Sequence, residues 1–119
     1  MKILGIDDSF AVNELLDTVL NGSGHEFKYV DSGKAGLDQI RAQKFDVVFL
    51  DLAMPEFSGV DVIHTLKEEG IIDKQKIIIF TASSATQSDI SELIKLGAHS
   101  CIRKPVDIDT LLETLDKLG

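Results

Sequence analysis

Short apolar runs that stop at polar residues recur along this chain, separated by segments whose apolar residues return at helical spacing. Ile3 to Ile6 stops at Asp7 and Asp8, and Phe45 to Asp51 carries the uninterrupted run Val47 to Leu50 up to its terminal carboxylate. Lys76 to Phe80, with three isoleucines and a phenylalanine, stops at Thr81. Runs this short, bounded by turn residues, predict strands buried on both faces of a parallel sheet. Glu26 to Asp31 instead alternates, with Phe27 and Tyr29 on one side and Lys28 and Val30 on the other. That pattern predicts a half-buried strand at a sheet edge. His99 to Ile102 is short and less apolar, which predicts the second edge.

The intervening segments read as helices. Ser9 can cap the first, in which Val12, Leu15, Leu16 and Val19 recur at i, i+3, i+4 and i+7 as one core face before Asn21-Gly22 stops it. Leu37 and Ile40 mark a weaker helix over Gly33 to Gln43. Ser58 caps the third, with Val62, Ile63 and Leu66 inward and an end near Gly70. Ile90, Leu93, Ile94 and Gly97 mark the fourth, whose Gln87, Ser91, Glu92 and Lys95 are polar. Ile108, Leu111, Leu112 and Leu115 stripe the last. Five alternations of strand and helix predict an α/β fold, a doubly wound five-stranded parallel sheet with five helices on both faces. Edge character at the second and fifth strands favours the order 2-1-3-4-5.

Length bounds this to a single domain over residues 1–119, with no output domain expected. Twenty acidic against twelve basic residues give a formal charge of -8, which repels a phosphate backbone and an anionic membrane surface. No nucleic acid and no membrane are therefore expected as partners. The lone Cys101 has no disulfide partner and no zinc-like spacing around it, and MKILGIDD lacks the apolar core of a leader. A cytoplasmic protein is expected.

In the 2-1-3-4-5 order the carboxyl ends of the first and third strands flank the switch point, where ligands of open α/β sheets collect. Asp7, Asp8 and Asp51 would converge there, and three carboxylates that close cannot all stay ionised without a cation. Mg²⁺ answers this, being a hard ion held by one or two carboxylates together with a phosphate. Lys104, after the fifth strand, can reach across as a mobile point charge. A dication and one ammonium then balance three carboxylates. Each residue alone has a plainer use: Asp8 beside a capping serine, Thr81 as a strand end, Lys104 as a solvated charge, Pro105 as a helix initiator. Their joint placement at one end of one sheet is what points to a site for a phosphoryl group.

Asp7-Asp8 after the first strand, DLAMPEFSG from Asp51, Thr81-Ala82 after the fourth strand and Lys104-Pro105 after the fifth strongly resemble the receiver domain of two-component response regulators. The resemblance covers the whole chain and implies a flavodoxin-like sheet. It implies that Asp51 is the phosphoacceptor, a carboxylate nucleophile forming an aspartyl phosphate. It further implies that Asp8, Asp51 and the backbone carbonyl of Ala53 ligate Mg²⁺ directly, with Asp7 acting through a metal-bound water. Thr81 would hydrogen-bond the phosphoryl oxygen, Lys104 would pair with Asp51 and then with the phosphoryl group, and the Lys104–Pro105 bond would be cis. Small Ala82 would leave the phosphate reachable.

Two departures from the family pattern stand out. Cys101 occupies the position, three before the lysine, where an aromatic residue commonly rotates as the threonine moves, and it reads as a small packing residue. Val106 stands where phenylalanine is frequent. Ala53 and Ser83, at the positions that tune phosphate lifetime, offer no carboxylate or amide to orient water, which implies unassisted self-dephosphorylation. His25, His64 and His99 lie on different elements and form no ligand pair.

The resemblance implies a stand-alone phospho-switch without turnover of an external substrate. A sensor histidine kinase or histidine phosphotransfer protein would phosphorylate it, and a downstream protein would bind through the fourth helix, fifth strand and last helix. A pseudo-receiver signalling without phosphorylation is the alternative that Cys101 keeps open. A haloacid-dehalogenase-like phosphatase would need its two acids two residues apart on the first strand, and a flavodoxin would need amides rather than acids in that loop.

Overall fold

The computed structural model describes residues 1–82, 84–105 and 107–118. Strands β1 (Lys2–Ile6), β2 (Glu26–Val30), β3 (Val47–Leu50), β4 (Ile77–Ala82) and β5 (Ser100–Lys104) form one sheet in the order β2-β1-β3-β4-β5. Every pairing is parallel. Helices α1 (Phe10–Gly22), α2 (Gly33–Ala42), α3 (Gly59–Glu68), α4 (Gln87–Leu96) and α5 (Ile108–Leu118) connect or follow the strands, with a 3-10 turn at Ile72–Lys74 before β4. Both the expected fold class and the strand order are present.

Strand side chains alternate between faces, and the alternation builds two cores. Leu4, Ile6, Val48, Leu50, Ile77 and Ile79 pack with Leu37, Val62, Ile63, Leu66 and Leu93 from α2, α3 and α4. Ile3, Val47, Phe49, Ile78 and Phe80 pack with Leu16, Leu20, Leu111 and Leu115 from α1 and α5. The three inner strands are therefore apolar at consecutive positions, whereas β2 buries only Phe27 and β5 is half-buried throughout. Ser9, Ser32, Ser58 and Thr86 each accept a backbone N–H as helix N-caps. No helix among the described residues is long and apolar enough to cross a membrane.

Three expected core positions are exposed: Leu15 at 52%, Ile94 at 41% and Ile108 at 44%. In α1 the buried positions are Asn13, Leu16 and Leu20. This arc is turned away from Leu15, because the helix packs its flank rather than its widest apolar stripe on the sheet. Leu15 and Ile108 instead border a 440 Å³ apolar groove between α1 and α5. Strand ends also run further than the apolar runs suggest: pairing of Ala82 with Lys104 carries β4 and β5 past Thr81 and Ile102. Backbone hydrogen bonding continues where the hydrophobic pattern has already stopped.

Candidate functional site

Asp7 leaves β1, and Asp51 leaves β3 with its N–H still donating to the Ile6 carbonyl at 2.9 Å. The ladder thus fixes both acids at the same end of the sheet. Asp7 is 4% and Asp51 6% exposed, while Asp8 faces solvent. Oxygens of all three carboxylates lie within 4.8 Å of one another, the one such group of potential metal ligands among the described residues.

Lys104 and Thr81 arrive from β5 and β4. The Lys104 ammonium donates to Asp7 Oδ2 at 2.6 Å and stands 3.9 Å from Asp51 Oδ1, with the Phe80 ring beneath it at 5.3 Å. The expected pair with Asp51 is present, and Asp7 is the closer partner; Asp51 Oδ1 also accepts from the Ala53 N–H at 3.3 Å and the Thr81 hydroxyl at 3.4 Å. Thr81 is buried at 2% exposure. The Lys104–Pro105 peptide is cis. Ala53, two residues beyond Asp51, sits on the exposed rim of the site.

Burial and then the neighbouring Asp7 carboxylate push the Asp51 carboxyl above its ordinary value of 3.8, against the pull of Lys104 and the Ala53 N–H, with Asp8 adding a smaller push. The donor set is carboxylate oxygen without thiolate or imidazole, and one ammonium faces three acids. A small hard dication fits such a set. What the cluster can do chemically is hold a divalent cation beside a buried, poorly compensated carboxylate, with a hydroxyl and an ammonium aimed at the same oxygen.

Two further residues, Asn13 and Gly59, shape the site. Buried Asn13 donates from Nδ2 to the Asp7 carbonyl at 2.8 Å, tying α1 to the turn that presents the acid pair. Gly59 opens α3 directly against the loop that follows Asp51: a Cβ there would lie 2.2 Å from the Asp51 carbonyl oxygen. Ser58 and Asp61 form a reciprocal capping box around it, which fixes where the loop ends and the helix begins. Asn13 has no pattern that would flag it, whereas Gly59 stands in the motif and its role is one of close approach.

Cys101 is half-buried and packs against the α2–α4 core, as expected of a small packing residue, and burial pushes its thiol up. His25 contacts the N-terminal amine and His99 the Ser100 hydroxyl, while His64 is exposed. Ser83 and Val106 lie outside the described residues.

Residues 3–116 match the family model for the response regulator receiver domain. The transcriptional regulatory protein ZraR of Escherichia coli is 36% identical over 98% of this chain, which spans 26% of that protein's length. Sporulation initiation phosphotransferase F of Bacillus subtilis is 32% identical over 98% of this chain and 91% of its own. The solved structure of response regulator TrrA from Thermotoga maritima, in complex with Mg²⁺–BeF, superposes with a TM-score of 0.83 at 32% identity over 100% of both chains. The chain belongs to the receiver domains of two-component response regulators, phosphoryl-accepting signalling modules that bind Mg²⁺ at an acidic pocket.

Proposed function

We propose that these 119 residues act as one phospho-switch, in the cytoplasm, with Asp51 as the acceptor of a phosphoryl group from a sensor histidine kinase or histidine phosphotransfer protein. The observation that carries this reading is the convergence of Asp7, Asp8 and Asp51 within 4.8 Å beside Thr81 and Lys104. Asp51 attacks the donor phosphorus through a carboxylate oxygen; the phosphorus–nitrogen bond to the donor histidine breaks and the imidazole keeps the electron pair. Lys104, poised between Asp7 and Asp51, follows the charge onto the phosphoryl oxygens, and Thr81 donates its hydroxyl to one of them. Asp8, Asp51 and the Ala53 carbonyl would hold Mg²⁺, with Asp7 acting through a water, and the ion would supply charge neutralisation where the anions meet. Self-dephosphorylation then returns the switch, without a residue at Ala53 to orient the attacking water. The intact acid trio, hydroxyl and ammonium argue against a pseudo-receiver.

Two surfaces suit two partners. The α4–β5–α5 face, with its exposed Ile94 and edge strand, serves the downstream protein. The apolar groove edged by Leu15 and Ile108 has Lys104 in its wall and so adjoins the acceptor. It suits the phosphodonor. In transfer from a phosphorylated histidine phosphotransfer protein, Leu15→Arg is expected to slow labelling about tenfold, the effect of losing one interface anchor. Labelling by acetyl phosphate should be unchanged, and equal loss with both donors would refute this placement.

The proposed function itself is tested by titrating beryllofluoride in the presence of Mg²⁺ and recording amide spectra. A saturable change around Asp51, Thr81 and Lys104, lost in Asp51→Asn and on chelation, is expected. A spectrum that does not respond overturns the reading.

A further inference from the structure

Adjacent residues of β5 point to opposite faces of the sheet. Lys104 reaches the acid cluster, whereas the half-buried Arg103 donates from Nη1 to the Ala85 carbonyl at 2.7 Å, in the connection between β4 and α4. Arg103 is also the register partner of Thr81. The connection is therefore held at both ends. At one end Thr81 donates to Asp51, through a long 3.4 Å contact. At the other end the Ala85 N–H closes a turn onto the Ala82 carbonyl at 3.3 Å, and the Ala85 carbonyl is gripped by a cationic donor from β5. Thr86, the next residue, is the N-cap of α4. Cys101, paired with Ile79 one step back on the same face, has no ring to swing and no reach toward this turn.

We propose that Arg103 is the positioning residue that couples the acceptor site to α4. Its guanidinium clasps the Ala85 carbonyl while Asp51 is unmodified and yields it when Thr81 is drawn toward a phosphoryl group. The inference rests on the acceptor role of Asp51 argued above. The turn transmits the motion because it is closed: Ala82 and Ala85 are bonded to each other, so a shift of Thr81 carries the Ala85 carbonyl with it. A 2.7 Å bond from a charged donor tolerates only small displacements before it weakens. The α4–β5 face thus reads the state of Asp51 through a charged clasp in place of a rotating aromatic ring.

Amide spectra of the whole chain, with and without Mg²⁺ and beryllofluoride, test this in Arg103→Ala and Arg103→Lys. In the wild type the amides of Ala85, Thr86 and the first turn of α4 should move when the adduct forms. In Arg103→Ala they should already be displaced in the same direction without adduct. Loss of one hydrogen bond from a charged group should shift the ratio of the two loop conformers about tenfold. Arg103→Lys should fall between, since an ammonium can hold one carbonyl without the guanidinium fork, and it carries the comparison if the alanine variant does not fold. Both variants should still form the adduct at Asp51. Unmoved α4 amides in the adduct-free variants, with adduct-induced shifts of wild-type size, would overturn the clasp. Failure of the wild type to form an adduct would show at Asp51 itself and overturn the acceptor reading with it.

Discussion

In metal-free buffer at neutral pH, Lys104→Met lowers the stability of the chain by about 3 kcal/mol, the order expected when a largely buried ion pair loses one partner. The Lys104 side chain is 20% exposed and its Asp7 partner 6%. Methionine keeps the packing over Phe80 and removes the charge. What remains is an acid cluster with no compensating ammonium. The loss should depend on pH. The folded state pushes the Asp51 carboxyl above its ordinary 3.8, so between the two values the folded protein binds more protons than the unfolded chain. The stability contributed by this group is fully present below about pH 3.8 and is lost as pH rises through the raised folded value. Lys104 opposes that push, so in Lys104→Met the window extends to higher pH and the loss deepens. Mg²⁺ should recover much of the deficit by replacing the missing charge. Denaturant midpoints across pH, with and without Mg²⁺, measure this; a variant as stable as the wild type in metal-free buffer would remove Lys104 from the electrostatic account.

Gly59→Ala is expected to cost about 3 kcal/mol, at the upper end for overpacking, because nothing flexible can yield. The added Cβ would meet the Asp51 carbonyl oxygen at 2.2 Å, Leu52 Cα at 2.8 Å and Asp51 carbonyl carbon at 2.9 Å, all backbone. Either α3 withdraws, exposing Val62 and Leu66, or the loop carrying Asp51 shifts. The second response should weaken Mg²⁺ binding as well as stability, since Asp51 would no longer face Asp7 and Asp8. A variant with unchanged midpoint and unchanged Mg²⁺ affinity would show that the close approach is not needed.

The sequence displayed the parts of this site that sit at strand ends. Asp7, Asp51 and Thr81 each terminate an apolar run, and parallel pairing necessarily brings such ends to one edge. Lys104 was legible for the same reason, although its closer bond to Asp7 was not, because two carboxylates compete for one ammonium and the outcome depends on what else each accepts. Helical spacing was less informative. Leu15 and Leu16 both satisfy an apolar stripe, yet only Leu16 is buried, since spacing does not say which flank of a stripe meets the sheet. Asn13 and Arg103 could not be read in advance, because a side chain's carbonyl partner on another element leaves no trace in local pattern. Cys101 marked only where the usual aromatic is missing; the candidate that takes over its task lies two residues on, in an arginine whose meaning depends on the register of β4 and β5.

Acceptance of a phosphoryl group by Asp51, with help from Mg²⁺, is the proposed step on which everything else depends. The most direct measurement is the intact mass of the protein after incubation with acetyl phosphate, beside chelated and Asp51→Asn controls. One added phosphoryl group on the wild type with Mg²⁺, and none on either control, is the expected result. An unmodified wild type, or an adduct that persists in Asp51→Asn, would contradict it.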